Sequence, residues 1–358
     1  MLLKKFSAIL FFSTLVAGLF AFWLGSYAVK PGGRQTAATE GTTVIIPAGT
    51  NLHGIRTILA KAGVIEDDIR FVLLARLLDV SRRLQAGEYK FAPGATPVEI
   101  LRQIEAGRIV RWPVTIPEGA NLSEIADILS QGHWAERERF LALVRNPYYI
   151  QSLGIDAETL EGYLFPETYN LSRGQSAKEI IRMMVAQLRT VMTELCPGFS
   201  AENPNTRPLA CTSSSSPPLT LHQLLTLASI VEKETGRADE RPLIACVFLN
   251  RLRRGMRLQS DPTVIYGLLP EFDGNLTRRQ LRSYSPYNTY MVNGLPPTPI
   301  ANPGRAAIEA VLHPSHNPFL YFVSRNDGSH QFSATLKEHN RAVAKYQKGI
   351  KTAAGKER

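Results

Sequence analysis

The sequence predicts an α+β protein that has an N-terminal transmembrane helix, a small strand–helix–helix–strand module and a larger mixed α+β domain. Three observations predict this architecture. Residues 6–29 form an uncharged stretch of 24 residues, a strand-and-helix pattern that begins at Val44 recurs at Val114, and short β patterns then alternate with helical patterns up to residue 346. The first observation favours a membrane anchor, and the other two favour a mixed folded region outside it.

The composition is that of a globular protein. Of the 358 residues, 44% are apolar and 20% are charged, so the chain is not globally disordered. Part of the net charge of +10 flanks the uncharged stretch, with Lys4 and Lys5 before it and Lys30 and Arg34 after it. This charge is expected to keep the protein soluble and to flank the membrane-spanning segment. The alternative is that it attracts anionic lipid or wall polymer weakly. No basic stripe is interleaved with aromatic residues, so nucleic acid is not an expected partner.

The uncharged stretch is long enough to cross the apolar core of a bilayer, which is about 30 Å thick. It is too long for the apolar region of a signal peptide, and its end, SYA, is a poor cleavage site. We therefore expect a cytoplasmic N-terminus at 1–5, an uncleaved helix at 6–29 and a linker at 30–42. Because the two lysines before the helix favour the cytoplasmic side, the rest of the chain is expected on the periplasmic (extracytoplasmic) face of the inner membrane.

Two segments of the chain resemble each other, VIIPAGTNLHGIRTIL at 44–59 and VTIPEGANLSEIADIL at 114–129. Each predicts a strand, a Pro-x-Gly turn and an amphipathic helix, with Asn51 and Asn121 as the N-caps. A second helical pattern follows each of them, RFVLLAR in one case and RFLALVR in the other. Two copies are too few for a solenoid and indicate a small module that is partly repeated later in the chain.

The first copy is completed by a strand pattern, LQAGEYKF, and by a helix with Thr96 as its N-cap and Pro97 as its first residue. Residues 43–112 then resemble, in pattern only, a LysM-type module, a fold often used to hold N-acetylglucosamine polymers. An α/β spacer that binds nothing is an equal alternative.

The larger domain is expected at 113–347. Within it, residues 196–218 are rich in Pro, Ser and Asn and predict a flexible insertion. Cys196 and Cys211 flank this loop and could pair in an oxidising compartment, whereas Cys246 lies in an apolar helical pattern and is expected to be a buried thiol. The 3 cysteines and 7 scattered histidines lack metal-ligand spacing, so neither a metal nor a cofactor is expected.

The end of the domain carries one hairpin and one helix. FLYFVSRNDGSHQF predicts a β-hairpin with Asp327 and Gly328 at its turn. A helix over 334–346 follows, and the tail at 348–358 is expected to be disordered.

The helix predicted over 220–235 carries the first candidate for chemistry, Glu232. Thr220 and Gln223 form a capping box, and Gly236 supplies the C-terminal stop. Glu232 continues an apolar stripe and lies near the negative end of the helix, and both features favour the protonated carboxyl that a general acid needs. The apolar stripe consists of Leu221, Leu224, Leu225 and Ala228. The alternative is a structural ion pair with Arg237 or Arg241.

Two later segments are dense in neutral hydrogen-bonding groups and aromatic rings. MRLQSDPTVIYG at 256–267 predicts an extended, proline-fixed stretch, and SPYNTYMVNGLPPTPIANPG at 285–304 is stiffened by its prolines. Sugar grooves combine aromatic platforms with amides and hydroxyls in this way, although a loop-stabilising contact is the alternative for any single residue. The candidate substrate-binding residues here are Gln259, Asp261, Thr263, Tyr266, Tyr287, Asn288, Thr289, Tyr290, Pro296, Pro297 and Asn302.

Most of the chain resembles the MltG (YceG-like) family of endolytic murein transglycosylases. The motifs are EGYLFPETY, ASIVEKET, FLNRL, LQSDPTVIYG, YNTY and GLPPTPIANPG, each weak alone and highly specific together. The resemblance places the family's catalytic glutamate on Glu232 and adds Glu161 and Tyr163 to the candidate substrate-binding residues. The chain departs from the family at Thr298, where members often have Gly, and in its longer insertion.

The resemblance implies a peptidoglycan lytic transglycosylase, a carbon–oxygen lyase acting on polysaccharides. Such an enzyme cleaves the β-1,4 bond between N-acetylmuramic acid and N-acetylglucosamine of nascent glycan strands without water, leaves 1,6-anhydro ends and so terminates elongation. Glu232 would protonate the leaving oxygen and then, as the carboxylate, accept the proton of the muramyl C6 hydroxyl. Because one residue serves both steps, no second dedicated carboxylate is expected beside it. The implied partners are glycan strands, the membrane and penicillin-binding-protein synthases.

Three other interpretations stay open at this point. A hydrolase with Glu232 and Asp261 as its carboxylate pair would need the two about 5–9 Å apart. A non-enzymatic wall-binding scaffold would work through the LysM-like module. A divisome or elongasome adaptor would tolerate changes throughout 285–304.

Overall fold

The computed structural model describes residues 2–31, 41–200, 208–209, 211 and 218–348, with the backbone alone for residues 2–10. The chain divides into two units, of which unit 1 comprises 1–114 with 170–175 and unit 2 comprises 115–169 with 176–358. Most of the predicted linker, insertion and C-terminal tail lies outside the described residues. The overall class is mixed α+β, as the sequence predicts.

Unit 1 contains the first repeat of the sequence. Its elements are α1 (Leu2–Val29), β1 (Thr42–Ile46), α2 (Leu52–Lys61), α3 (Arg70–Leu77), β2 (Gly87–Phe91) and α4 (Pro97–Glu105). Strands β1 and β2 pair antiparallel, from Thr42 opposite Phe91 to Ile46 opposite Gly87. The strand–helix–helix–strand order is therefore present, while membership of the LysM fold and glycan binding by this unit stay predictions.

The helices of unit 1 begin where the caps predict. The side chain of Asn51 accepts a hydrogen bond from the Gly54 N–H at 2.8 Å. Thr96 and Glu99 form a complete capping box, and Pro97 occupies the first turn. These side chains satisfy N–H groups that lack partners inside the helix, and so they fix where each helix starts.

Helix α1 contains the only segment of the described chain that is long and apolar enough to cross a membrane, Phe11–Val29, by length and composition. Most of its large apolar side chains are exposed. Its last turn differs, because Leu24, Tyr27 and Ala28 are buried against the core of unit 1.

Unit 2 is built mainly from helices. Strands β3 (Trp112–Thr115) and β4 (Thr168–Leu171) form a two-stranded sheet. The remaining elements are α5 (Leu122–Gln131), α6 (Arg137–Val144), α7 (Pro147–Ser152), α8 (Ala177–Leu195), α9 (Leu221–Glu234), α10 (Arg241–Arg253), α11 (Asp261–Gly267), α12 (Arg305–Leu312), β5 (Tyr321–Ser324), β6 (His330–Ser333) and α13 (Leu336–Val343). The predicted hairpin is confirmed as the antiparallel pair β5–β6.

Helix α9 is the core of unit 2. It packs against α10, α11 and α12, and its residues are buried on every face rather than along one stripe. Its two buried hydroxyl groups are satisfied, because Thr226 donates to the His222 carbonyl and Ser229 donates to the Thr226 carbonyl. The predicted capping box of Thr220 and Gln223 is confirmed.

Two local predictions are wrong. The stretch after Gly255 is not extended throughout, because Asp261–Gly267 forms α11. Pro262 needs no hydrogen-bond partner in a first helical turn, and Asp261 there is favoured by the helix dipole. The end of α9 also differs, because Thr235 adopts the extended conformation that breaks the helix before Gly236.

Two of the three cysteines are paired, and the third is free. Cys196 and Cys211 form a disulfide that links positions 15 residues apart. Cys246 is a buried free thiol, as predicted.

Candidate active site

Glu232 lies in the last turn of α9 and is held by two neighbouring elements. Its side chain is 6% exposed. Oε1 accepts a hydrogen bond from the Arg241 guanidinium at 3.0 Å, and Oε2 accepts one from the Gly304 N–H at 2.9 Å. Gly304 is the N-cap of α12, so the carboxyl also faces the positive end of that helix.

These contacts differ from the environment that the helix pattern predicts. The helix pattern predicts an apolar environment at the end of α9, but a guanidinium and an N–H donor instead bind the two carboxyl oxygens. The ion pair that stood as the alternative is present, and its partner is Arg241, whose side chain is 11% exposed. Arg237 instead pairs with Asp239 at 2.8 Å.

A second carboxyl, Glu118, lies beside Glu232 and is not among the site residues that the sequence predicted. The two meet at Gly304, because its N–H binds Glu232 and a Cβ added to it would overlap the carboxyl of Glu118. Burial and the nearby charge of Glu232 raise the pKa of Glu118, and Arg241 opposes this shift.

Glu118 lines two grooves on the surface of unit 2. One groove has a volume of about 380 Å³ and extends past Phe165 and Val191 to Arg305. The other has a volume of about 400 Å³ and extends along α5 to Lys233. Glu118 thus occupies a position shared by both grooves.

Gly119 lies between the second groove and Glu232. A Cβ on Gly119 would approach Glu232 Cγ and Lys233 Cδ at 3.4 Å, and its φ of +76° is the left-handed conformation that glycine adopts most readily. The Lys233 ammonium donates to the Gly119 carbonyl at 3.2 Å. The chain around Glu118 is therefore attached directly to the last turn of α9.

Glu161 is buried behind this junction rather than exposed in a groove. Its carboxyl accepts hydrogen bonds from the Tyr266 hydroxyl at 2.9 Å, the Asn302 amide at 3.1 Å and the Leu122 N–H at 3.2 Å. Burial raises the pKa of Glu161 to about 7, although the donors from Leu122 and Tyr266 act against the shift. Three predicted residues, Glu161, Tyr266 and Asn302, thus form one buried network.

Asn302 connects this network to the two carboxyls. Its backbone exchanges hydrogen bonds with the segment after Glu118, since Gly119 N–H donates to Asn302 O and Asn302 N–H donates to Ala120 O, both at 2.9 Å. Its side-chain amide also donates to the Ala120 carbonyl. Because Gly304 follows two residues later, this backbone pairing sets the position of Gly304 against Glu118.

Glu234, the last residue of the same helix, is half-buried. It accepts a hydrogen bond from the Ser260 hydroxyl at 2.5 Å, and burial raises its pKa to about 7. Asp261, the carboxylate considered as a partner for Glu232, is exposed and accepts a hydrogen bond from the Tyr290 hydroxyl at 2.6 Å. Asp261 therefore belongs with Tyr290 and near Glu234.

The other predicted substrate-binding residues differ in their exposure. The buried ones are Tyr163, Thr263, Asn288, Thr289 and Pro296. Tyr287 is half-buried, whereas Gln259 and Pro297 are exposed. The Thr263 and Thr289 hydroxyls share a hydrogen bond at 2.8 Å. The Asn288 amide donates to three carbonyls within 280–283. These contacts stabilise the loops, and direct contact with a substrate stays a prediction.

The sequence contains a signal for Glu118 that the motif analysis missed. The two repeats align Ala48 of IPAG with Glu118 of IPEG. A charged residue at this turn distinguishes the second copy from the first.

The chain is similar to proteins of one family over most of its length. The YceG-like family model matches residues 44–345. A Bacillus subtilis protein named endolytic murein transglycosylase is 31% identical over 342 residues, which cover 91% of this chain and 90% of that protein. Two Streptococcus pneumoniae proteins of the same name are 32% and 31% identical, and each match covers 85% of this chain and 58% of theirs.

A solved structure shares the fold. The crystal structure of a YceG-like protein from Listeria monocytogenes superposes with a TM-score of 0.52 at 33% sequence identity. The match covers 85% of this chain and 99% of that one.

Proposed function

This chain belongs to the YceG-like family, and from that premise we propose that it is a peptidoglycan lytic transglycosylase in which Glu232 is the catalytic acid and base. The names of the relatives support the activity and the substrate class. The observation that carries the assignment of Glu232 is its position. A motif-matched carboxyl, buried and held through both oxygens, lies next to Glu118, which lines both grooves together with Pro117.

The reaction needs one proton donor and one proton acceptor. In the first step Glu232 gives its proton to the glycosidic oxygen as the bond from that oxygen to the muramyl C1 breaks. In the second step the C6 oxygen bonds to C1, and its proton passes to the Glu232 carboxylate. The proton count of Glu232 is restored, and no water is consumed.

The two hydrogen bonds to Glu232 suit the state of the site between the two proton transfers. Arg241 and the Gly304 N–H stabilise the carboxylate that exists after the first proton has left. They also fix the direction of both oxygens, so the same carboxyl stays aimed at the bond while it waits for the C6 hydroxyl.

The grooves suit a long substrate. Because both grooves reach Glu118, a glycan strand can extend to either side of the cleaved bond, as cleavage within a strand requires. We assign the buried residues of the predicted set to holding the loops and the exposed Gln259, Asp261 and Pro297 to contact with saccharides.

The remaining proposals concern the location of the enzyme. Helix α1 anchors the chain in the inner membrane with the N-terminus in the cytoplasm, which confines cleavage to new strands near the membrane and to the vicinity of penicillin-binding-protein synthases. The disulfide Cys196–Cys211 fits an oxidising, extracytoplasmic compartment. The first unit binds N-acetylglucosamine polymers in the manner of a LysM module.

Product analysis separates this reaction from hydrolysis by the same protein. Uncrosslinked glycan strands are incubated with the full chain in detergent micelles, and the ends are identified by mass spectrometry. We expect 1,6-anhydro-muramyl ends. Reducing ends would instead indicate a hydrolase, and no cleavage would indicate a binding scaffold or an adaptor.

A further inference from the structure

The last turn of α1 packs into the core of unit 1, so the part of the helix that can lie in lipid ends before that turn. Leu24, Tyr27 and Ala28 are buried in this core, whereas the large apolar side chains described before them are exposed. The uncharged stretch from Phe6 to Trp23 is about 27 Å of helix at 1.5 Å per residue, close to the apolar thickness of a bilayer. Trp23 then lies at the extracytoplasmic interface, where aromatic side chains are favoured.

Arg70, the first residue of α3, holds the start of that helix at the same level. Its guanidinium carbon lies 5.3 Å from the centre of the Trp23 ring and 4.6 Å from the centre of the Tyr27 ring. Arg70 also pairs with Asp68 at 2.6 Å, so its side chain is held from two directions. The start of α3 therefore lies where α1 leaves the membrane.

The side of α3 that turns away from the core is apolar. Ile69, Leu73 and Leu77 are spaced four residues apart and so share one side of the helix, which we call the outer face of α3. Ile69 is 47% exposed and Leu77 is 71% exposed, while Leu73 is half-buried. The opposite side of α3 packs into the core of unit 1. A helix that is apolar on both sides is typical of one that is covered on both sides.

The second copy of the repeat has a different outer face. Aligning RFVLLAR with RFLALVR places three other residues at the positions of the outer face, namely Glu138, Ala142 and Asn146. The inner side is kept, since Phe71 and Phe140 are both buried. The apolar outer face thus occurs in the copy that α1 joins and not in the other copy.

We propose that the outer face of α3 rests on the extracytoplasmic surface of the membrane that α1 spans, and that unit 1 is thereby held against the bilayer. The lipid surface is the occupant because it continues directly from α1, which enters the core of unit 1 beside α3. Arg76 is exposed next to the outer face, and a guanidinium there suits the phosphates of lipid headgroups. The inference rests on the proposed anchoring by α1.

The test measures the surroundings of single labelled positions in the full chain, held in nanodiscs of phosphatidylethanolamine and phosphatidylglycerol. Leu77→Cys is labelled with an environment-sensitive fluorophore, and its quenching by nitroxide-labelled lipid is compared with its quenching by iodide in the buffer. Nitroxide lipid should remove at least about half of the fluorescence, because an interfacial helix buries its apolar face about 5–10 Å into the headgroup region. The unmodified chain, whose free Cys246 is buried, gives the background labelling.

Ile45→Cys is the matched control within unit 1. Ile45 is 50% exposed, but it alternates with the buried Val44 and Ile46 on β1 and so points away from the core that receives α1. A label at this position should be quenched by iodide and not by nitroxide lipid.

A second variant tests the outer face without moving the label. Ile69→Glu introduces the residue that the second copy carries at the aligned position. Combined with labelled Leu77→Cys, it should shift the quenching from nitroxide lipid toward iodide, because interfacial binding scales with the apolar area that is buried.

The outcomes separate this inference from the proposed anchoring. If the full chain elutes without the nanodiscs, the anchoring fails and the inference fails with it. If the chain elutes with the nanodiscs but iodide quenches the Leu77→Cys label as strongly as the Ile45→Cys label, the anchoring stands and the inference is refuted. A Leu77→Cys label shielded from both quenchers also refutes it, because protein rather than lipid then covers the outer face. Equal quenching by nitroxide lipid at both positions refutes it as well, because the contact is then not specific to α3.

Discussion

Replacing Arg241 by Gln tests whether the pair with Glu232 is a true buried ion pair. The N–O distance is 3.0 Å and the two side chains are 11% and 6% exposed. At an effective dielectric constant of about 20, this separation corresponds to an attraction of roughly 5 kcal/mol, much of which desolvation of both groups offsets. Removing the guanidinium leaves a buried carboxylate with one N–H donor, and we expect the free energy of unfolding to fall by about 3 kcal/mol.

The assay is urea unfolding of the full chain in detergent micelles, followed by tryptophan fluorescence. Adding Glu232→Gln to the Arg241 variant removes the unpaired charge and should recover about 2 kcal/mol of the loss. Arg237→Gln is the control, since that ion pair is 47% and 68% exposed and its loss should leave the free energy of unfolding nearly unchanged. The reasoning would be refuted if Arg241→Gln changed the free energy of unfolding by less than about 0.5 kcal/mol. It would also be refuted if the loss in the double variant equalled the sum of the losses in the two single variants.

Three further predictions concern stability and location. Replacing both Cys196 and Cys211 by Ser should lower the free energy of unfolding by about 3 kcal/mol, as expected for a closed loop of this length, and thermal unfolding with and without reductant checks it. The pKa values of Glu161 and Glu234 are raised from 4.5 to about 7 by burial, so their contribution to stability is fully present below about pH 4.5 and is lost as the pH rises to about 7. The melting temperature should therefore decrease as the pH rises from about 4.5 to about 7. Glu161→Gln should make this decrease smaller, and a decrease equal to that of the wild type would contradict the assignment. Deleting residues 1–29 should move the protein from the membrane fraction to the soluble fraction, whereas recovery of the full chain in the soluble fraction would contradict an anchor.

The helix starts could be predicted because capping is local. Asn51, Thr96, Asn121 and Thr220 each bind an N–H two or three residues later, so the signal is contained in a few adjacent positions. The same local logic failed at α11, where the proline that suggested an extended chain serves equally well in a first helical turn.

The surroundings of Glu232 could be predicted only in part. Its place at the end of α9 follows from helical periodicity, but the Gly304 N–H and the carboxyl of Glu118 reach it from distant parts of the chain. No periodic pattern relates such segments. The burial of Asn288 and Thr289 was hidden for a related reason, because a polar residue that binds sugar and one that binds a buried carbonyl look alike in a sequence.

The most direct test of the central claim compares anhydro-end formation by the wild type and by Glu232→Gln on uncrosslinked glycan strands. Gln keeps the size of the side chain but can neither donate nor accept the proton, so the rate should fall by at least about a hundredfold. Thermal unfolding of the variant checks that it is folded. A folded variant that releases 1,6-anhydro ends at a near wild-type rate would contradict the assignment of Glu232 as the acid and base.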